Sequence, residues 1–316
     1  MAGNTRGAYL QMRKDFYKKY QGKIIPTVQN FENTRRSRLT LAIVISSILF
    51  IIATVILIMA FTSNHVHSKD MEGLVKLAIF IYVLALTAWK IIKKKFENSV
   101  KEKIMPVVCD CFGDMTWSHG KYVDGGLLFT MSCVIPKYTS ESYDDIFQGV
   151  FKGVNIDIAE SYYVRGTGKN RRTVFDGVIV KLDMNKFFTS HTVIKPNGLI
   201  KAPPSSDLHH TNLEDVEFNK KYDVYTDDDV DARYLITPSF MERLKSVKMA
   251  FRASSVSCAF YEKYLIIALP TKKDLFSLCS LIKPMDDRVQ YFQMYNEIES
   301  IIKLIDHFKL DQKLGL

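Results

Sequence analysis

The hydrophobic and polar positions change their period twice along the chain. Residues 39–61, LTLAIVISSILFIIATVILIMAF, contain no charge, and a run of that length can cross a bilayer core with some tilt. A second run over 74–92, LVKLAIFIYVLALTAWKII, is comparably long and carries Lys76 and Lys90 near its ends. Lysines so placed reach the interfaces, and Trp89 suits an aromatic belt. A helix in the core of a soluble protein rarely stays uncharged beyond about 14 residues. The pattern therefore predicts a transmembrane hairpin closed by the short segment 62–73. The first run begins too late for a signal peptide, and no small-residue cleavage site follows either run, so both are expected to persist.

Upstream, Tyr9, Met12, Phe16 and Tyr20 recur at helical spacing, with Lys14, Lys18 and Lys19 off that face. Two readings fit: a basic amphipathic helix lying on a membrane, or a helix packed on the protein itself. Pro26 is expected to end or kink it. Residues 93–108 read as a charged helical continuation of the second span. From Phe112 onward, glycines punctuate short apolar or alternating runs, which predicts strands at 127–135, 145–151, 154–163, 173–182 and 191–195. The segment 164–172, VRGTGKNRR, reads as a hairpin turn. Residues 196–212, with PNG, PPSS and HH, read as a loop or linker, and 215–224 as the approach to a further strand. Thr237 has the position of an N-cap, and Pro238 that of the first residue of a helix over 237–247. A hairpin over 255–261 and 264–269 and a long helix over 286–310 complete the pattern. The expected class is α+β: a two-helix transmembrane hairpin, then a mixed, largely antiparallel, β-rich domain with a long C-terminal helix. The divisions are 1–38, 39–92 and 93–316, with a sub-division of the last near 200–212.

Charge supplies an orientation. Nine Lys or Arg against two acidic residues precede the first span, six Lys against two Glu occupy 90–103, and the loop region balances. The positive-inside rule then puts both termini in the cytoplasm. The same distribution absorbs the whole formal excess of +9, leaving the chain beyond residue 103 near neutrality. A pI near 9.1 would otherwise suggest nucleic acid. Here the excess lies beside the membrane, where each cation gains roughly 1 kcal/mol from anionic lipid, so no nucleic-acid partner is expected. Five scattered cysteines, an odd number, fit a reducing compartment.

In order along the chain come FYKKY and IIPTVQNFENTRR, then YDDIFQGVFKGVNIDIAES, TVFDGVIVKLDMNK and LEDVEFNKKYDVYTDDDVDARYLITPSFMERL. Through these stretches the chain resembles an uncharacterised family of bacterial membrane proteins, the domain of unknown function numbered 3137. In the last of these the family pattern falls on Asp215, Phe218, Val224, Ala232, Arg233, Leu235, Thr237, Pro238, Met241 and Leu244; Tyr222 stands where members often have Phe. The likeness is read over nearly the whole chain. It implies a multi-pass protein of the bacterial inner membrane, in some cases associated with LemA-type proteins, and no assigned reaction.

Candidate chemistry is thin. Asp227, Asp228, Asp229 and Asp231 resemble the start of a calcium loop, but Ala232 and Pro238 stand where an EF-hand needs Gly and Glu; a solvated acidic turn before a strand is the preferred reading. Cys109, Cys111, His119 and Cys133 are zinc-type residues without zinc spacing. His209 and His210 sit in a polar loop without acidic or thiol partners at metal spacing. Gly166-Thr-Gly-Lys169 lacks the Ser or Thr and the following helix of a phosphate loop. No catalytic, cofactor or metal residue is assigned. The residues expected to meet lipid or a partner are Arg13, Lys14, Lys18, Lys19, Arg35, Arg36, Arg38, Lys93, Lys94 and Lys95, together with Arg165, Lys169, Arg171 and Arg172 at the hairpin tip. The expected function is that of a membrane-anchored binding or scaffold protein, with the anionic bilayer and a membrane protein as partners. An enzyme acting on a membrane-associated substrate is the alternative. Homo-oligomerisation through the spans stays open, though no GxxxG is present.

Overall fold

The computed structural model describes residues 2–62, 68–120, 122, 125–151, 153–198, 203–271, 275–285 and 288–313. The chain divides into two compact units, Met1–Val107 with Ser277–Arg288, and Val108–Phe276 with Val289–Leu316.

The first unit is built on long helices. Helix α1 (Ala2–Lys19) passes through a π-helical turn (Tyr20–Ile24) into α2 (Ile25–Thr62). Pro26 therefore does not end the helix. It has no N–H for the Gly22 carbonyl, and the adjoining turn is wound one residue wider, with the Ile25 N–H reaching back to the Tyr20 carbonyl. The Thr27 hydroxyl donates to the Lys23 carbonyl at 2.8 Å. Phe16, Tyr20, Ile24 and Val28, four residues apart, are all buried. That face, which runs from the end of α1 through the π-helical turn into α2, is covered by protein, which favours a helix packed on its own chain over one lying on lipid.

Helix α3 (Ser68–Cys109) continues well past the second apolar run. Its contact with α2 is fixed by the hydroxyl pair Thr54–Tyr82 at 2.9 Å and by the Phe50 and Tyr82 rings at 5.1 Å. Ala42, Ala53 and Ala60 in α2 and Ala78 and Ala85 in α3 are buried. Small residues at such positions let two helix backbones approach closely. Both helices are long and apolar enough to cross a membrane.

The second unit is an antiparallel sheet. Its strands are β1 (Asp114–His119), β2 (Ser140–Phe151), β3 (Val154–Arg165), β4 (Arg172–Asp183), β5 (Thr192–Pro196), β6 (His209–Thr211), β7 (Tyr222–Thr226), β8 (Ser257–Tyr261) and β9 (Tyr264–Pro270), in the order β1-β2-β3-β4-β9-β8-β5-β7-β6. The alternating runs of the sequence became β2, β3, β4 and the β8–β9 hairpin. Gly166 and Gly168, at φ +86° and +56°, turn β3 into β4, a backbone geometry that glycine adopts without a Cβ clash. Strand β7 pairs with β5 on one side and with β6 on the other, so one sheet includes strands from both sides of the expected sub-division.

One face of the sheet carries Ala159, Tyr163, Ile179, Val193, Tyr225 and Ile266, packed with Tyr122, Phe129, Val134 and Ile135. The last three come from helix α4 (Gly126–Met131) and the turn after it. Residues 127–135 are therefore not a strand. Their apolar run is short enough to suit either state, and burying Phe129 with Val134 and Ile135 on the sheet selects a helical turn. On the opposite face, Phe240 of α7 (Pro238–Ala250) meets Phe260 at 5.2 Å. The Thr237 hydroxyl caps α7 by accepting from the Phe240 N–H at 3.2 Å. Two short helices, α5 (Val216–Asn219) and α6 (Asp229–Leu235), flank β7, and α8 (Arg288–Lys313) closes the chain; the expected start of that last helix at 286–287 lies outside the described residues.

Candidate functional site

The basic residues singled out in the sequence separate into exposed and engaged groups. Arg13, Lys14 and Lys18 are exposed on α1, and Lys19 is half-buried. Arg36 and Arg38 are exposed at the start of the first apolar run; Lys94 and Lys95 are exposed on α3, and Lys93 lies 3.8 Å from Glu97. Because Thr54 meets Tyr82 midway along the two apolar runs, these two clusters fall at the same end of the hairpin. Basic flanks at one level are the arrangement that anionic headgroups stabilise.

Arg35 is different. Its side chain is 8% exposed. Nε and Nη2 donate to Oε2 and Oε1 of Glu32 at 2.8 and 2.7 Å, and Nη1 donates to the Leu281 carbonyl at 2.9 Å and the Ile282 carbonyl at 3.4 Å. A residue expected to face lipid is thus turned inward. Its planar fork grips a carboxylate on one edge and backbone on the other, which a lysine could not do. Hydrogen bonding from Arg35 holds the Glu32 carboxyl down to about 2, against an upward pull from burial, so the clamp stays ionised over the physiological range. The segment it holds joins β9 to α8. Within it Leu281 and Met285 are buried, while Ile282, Lys283 and Pro284 are exposed. No local signal in the sequence could have shown this clamp, because the acceptors are main-chain atoms some 246 positions away.

In the second unit the tip of the β3–β4 hairpin leaves Lys169, Arg171 and Arg172 exposed, while Arg165 Nε donates to the Lys137 carbonyl at 2.6 Å. Tyr162 and Thr173 brace the strands below the tip through their hydroxyls at 2.8 Å. The tip is an outward cationic surface.

The acidic run serves the fold. Asp228 caps α6 by accepting from the Val230 and Asp231 N–H groups at 2.8 and 3.0 Å. Asp227 accepts from the His191 N–H at 2.9 Å, and Asp231 accepts from the Ser190 hydroxyl at 2.5 Å. The run opens a helix rather than preceding a strand. Its remaining carboxylate, Asp229, lies 3.0 Å from His209 Nε2, and Asp223 lies 3.3 Å from His210 Nε2. The histidine pair therefore does have acidic partners, brought near by the β6–β7 register, although no group of three or more potential metal ligands converges among the described residues.

Two further polar groupings escaped the sequence reading. Asp157 accepts from the Tyr122 hydroxyl at 2.6 Å, Lys181 Nζ at 2.6 Å and Gln148 Nε2 at 3.1 Å. Every member is answered by another, as a structural knot requires. In the second, His191 Nε2 lies 3.1 Å from the Ser132 carbonyl and its ring meets Tyr261 at 4.7 Å, while the residue after Ser132, Cys133, interacts with Lys195. Burial raises the Cys133 thiol and lowers the Lys195 amine. Both shifts favour neutral forms, and a thiol held in that form is not an activated nucleophile.

Residues 173–310 match the family described as "Protein of unknown function (DUF3137)". The match reaches from β4 into α8. The match includes TVFDGVIVKLDMNK and the Asp215–Leu244 pattern, whereas FYKKY, IIPTVQNFENTRR and YDDIFQGVFKGVNIDIAES lie outside it. The chain has no match among curated proteins or solved structures.

Proposed function

We propose that this chain is a membrane-anchored binding or scaffold protein of the bacterial inner membrane, with both termini and the sheet in the cytoplasm. The observation that carries the reading is the surface of α2 and α3. Ile43, Ile48, Ile51, Ile52 and Met59 on one helix, and Ile79, Phe80, Val83, Leu86 and Ile91 on the other, are exposed large apolar side chains. A contiguous apolar surface of this kind is stable only where lipid or another protein covers it. Uncharged runs on both helices and basic clusters at one end of them favour lipid, and the cationic excess there favours the cytoplasmic leaflet. The sheet unit then has the task of binding. Its exposed cationic tip at Lys169, Arg171 and Arg172 suits an acidic patch on a membrane protein partner, for which the family resemblance suggests the LemA type.

Alkaline carbonate washing of membranes from cells expressing the full chain tests the anchor. The protein is expected to stay in the pellet. Release into the supernatant would mean peripheral attachment and would overturn the reading.

A further inference from the structure

The segment held by Arg35 carries a surface that the hairpin alone does not explain. Arg35 lies four residues before Leu39, roughly 6 Å along the helix axis from the start of the apolar run. Its Nη1 touches the carbonyls of Leu281 and Ile282. The clamp therefore fixes residues 281–283 at the level where the basic flank gives way to apolar helix. There Ile282 is 61% exposed although its neighbour Leu281 is fully buried. Lys283 beside it is exposed, as are Arg36 and Arg38 on the helix. An outward apolar side chain flanked by outward cations is the arrangement of an interfacial anchor. The apolar group enters the acyl boundary while the cations meet phosphate.

We infer that residues 281–283 form a second membrane contact, a monotopic foothold in which Ile282 inserts at the acyl boundary and Lys283 pairs with an anionic headgroup. It rests on the reading that α2 and α3 cross the bilayer. Arg35 is its positioning residue: by bonding the main chain it leaves the side chain of Ile282 free to point outward. The sheet and α8 are joined through this segment.

A photoreactive benzoylphenylalanine placed at Ile282, and separately at Ile51 in the first span, distinguishes the possibilities. The full chain is reconstituted in vesicles of phosphatidylethanolamine and phosphatidylglycerol, irradiated, and analysed by mass spectrometry. Lipid adducts are expected at both positions. Adducts at position 51 with none at 282, or a protein adduct in place of lipid at 282, would overturn the foothold and leave the hairpin standing. A lack of lipid adducts at both would remove the hairpin and the foothold together.

Discussion

Replacing Arg35 with Ala is expected to lower the stability of the first unit by about 4 kcal/mol, the scale for removing one partner from a buried ion pair. The loss has identifiable parts. Glu32, whose side chain is 24% exposed, keeps its charge without the fork that held it, and the Leu281 carbonyl loses a charge-assisted donor. Arg35→Lys should fall between the two, because an ammonium supplies the charge without the planar geometry. Thermal unfolding in detergent measures the first effect. Hydrogen exchange over residues 277–285 locates it, since a released segment should exchange faster than in the parent. Equal melting temperatures and equal exchange in parent and Arg35→Ala would show that the clamp holds nothing. The pH dependence has a defined sign. The depressed Glu32 carboxyl contributes stability that is present above its ordinary value near 4.5 and is lost as pH falls through that value toward about 2. Between pH 8 and pH 5 the clamp should be indifferent to pH.

Glu297 should behave in the opposite way. It is fully buried in α8, with Oε1 accepting from Gln293 Nε2 at 2.9 Å and Oε2 without a hydrogen-bond partner among the described residues. Burial raises its carboxyl to about 7, against smaller downward contributions from the Gln293 hydrogen bond and the charge of Arg252. For an acid raised in the folded state, the folded protein binds the proton more tightly than the unfolded chain. The group therefore costs nothing below its ordinary value, and the fold loses stability as pH rises from about 4.5 to about 7. The full cost is about 3 kcal/mol, at about 1.4 kcal/mol for each unit of the shift. Glu297→Gln removes the charge and keeps the shape. The unpaired amide donor costs about 1 kcal/mol at any pH, which leaves a net stabilisation of about 2 kcal/mol at pH 8 and a net loss of about 1 kcal/mol at pH 4. Thermal unfolding of parent and variant across this range checks it. A variant no more stable than the parent at pH 8 would show that the buried carboxylate is compensated.

These two residues show where the sequence could be read and where it could not. Strand β3 was legible because burial mainly on one face writes a period of two into its residues, and β8 and β9 because burial on both faces leaves short, nearly continuous apolar runs. The cap at Thr237 and Pro238 was legible because its partners lie within three positions. The segment 127–135 misled, since a short apolar run is compatible with a strand or with the turn of helix that covers the sheet core through Phe129. Pro26 misled because a proline breaks a regular ladder, while a π-helical turn beside it lets the helix continue. Arg35 looked like its neighbours Arg36 and Arg38. Only the folded chain brings residues 281 and 282 to it, so no local pattern distinguishes the buried guanidinium from the exposed ones. His209 and His210 failed for the same reason: their carboxylate partners arrive through strand register and a helix start. The exposed cations, by contrast, lie where composition placed them.

The arrangement of hairpin and sheet about the bilayer is tested most directly by thiol accessibility in sealed vesicles. In a full-length chain with its five native cysteines replaced, single cysteines are introduced as His65→Cys, between the two apolar runs, and as Lys169→Cys, at the β3–β4 tip. A membrane-impermeant maleimide is expected to label the two from opposite sides, one of them only after the vesicles are opened. Labelling of both from the same side would contradict a hairpin that crosses the membrane.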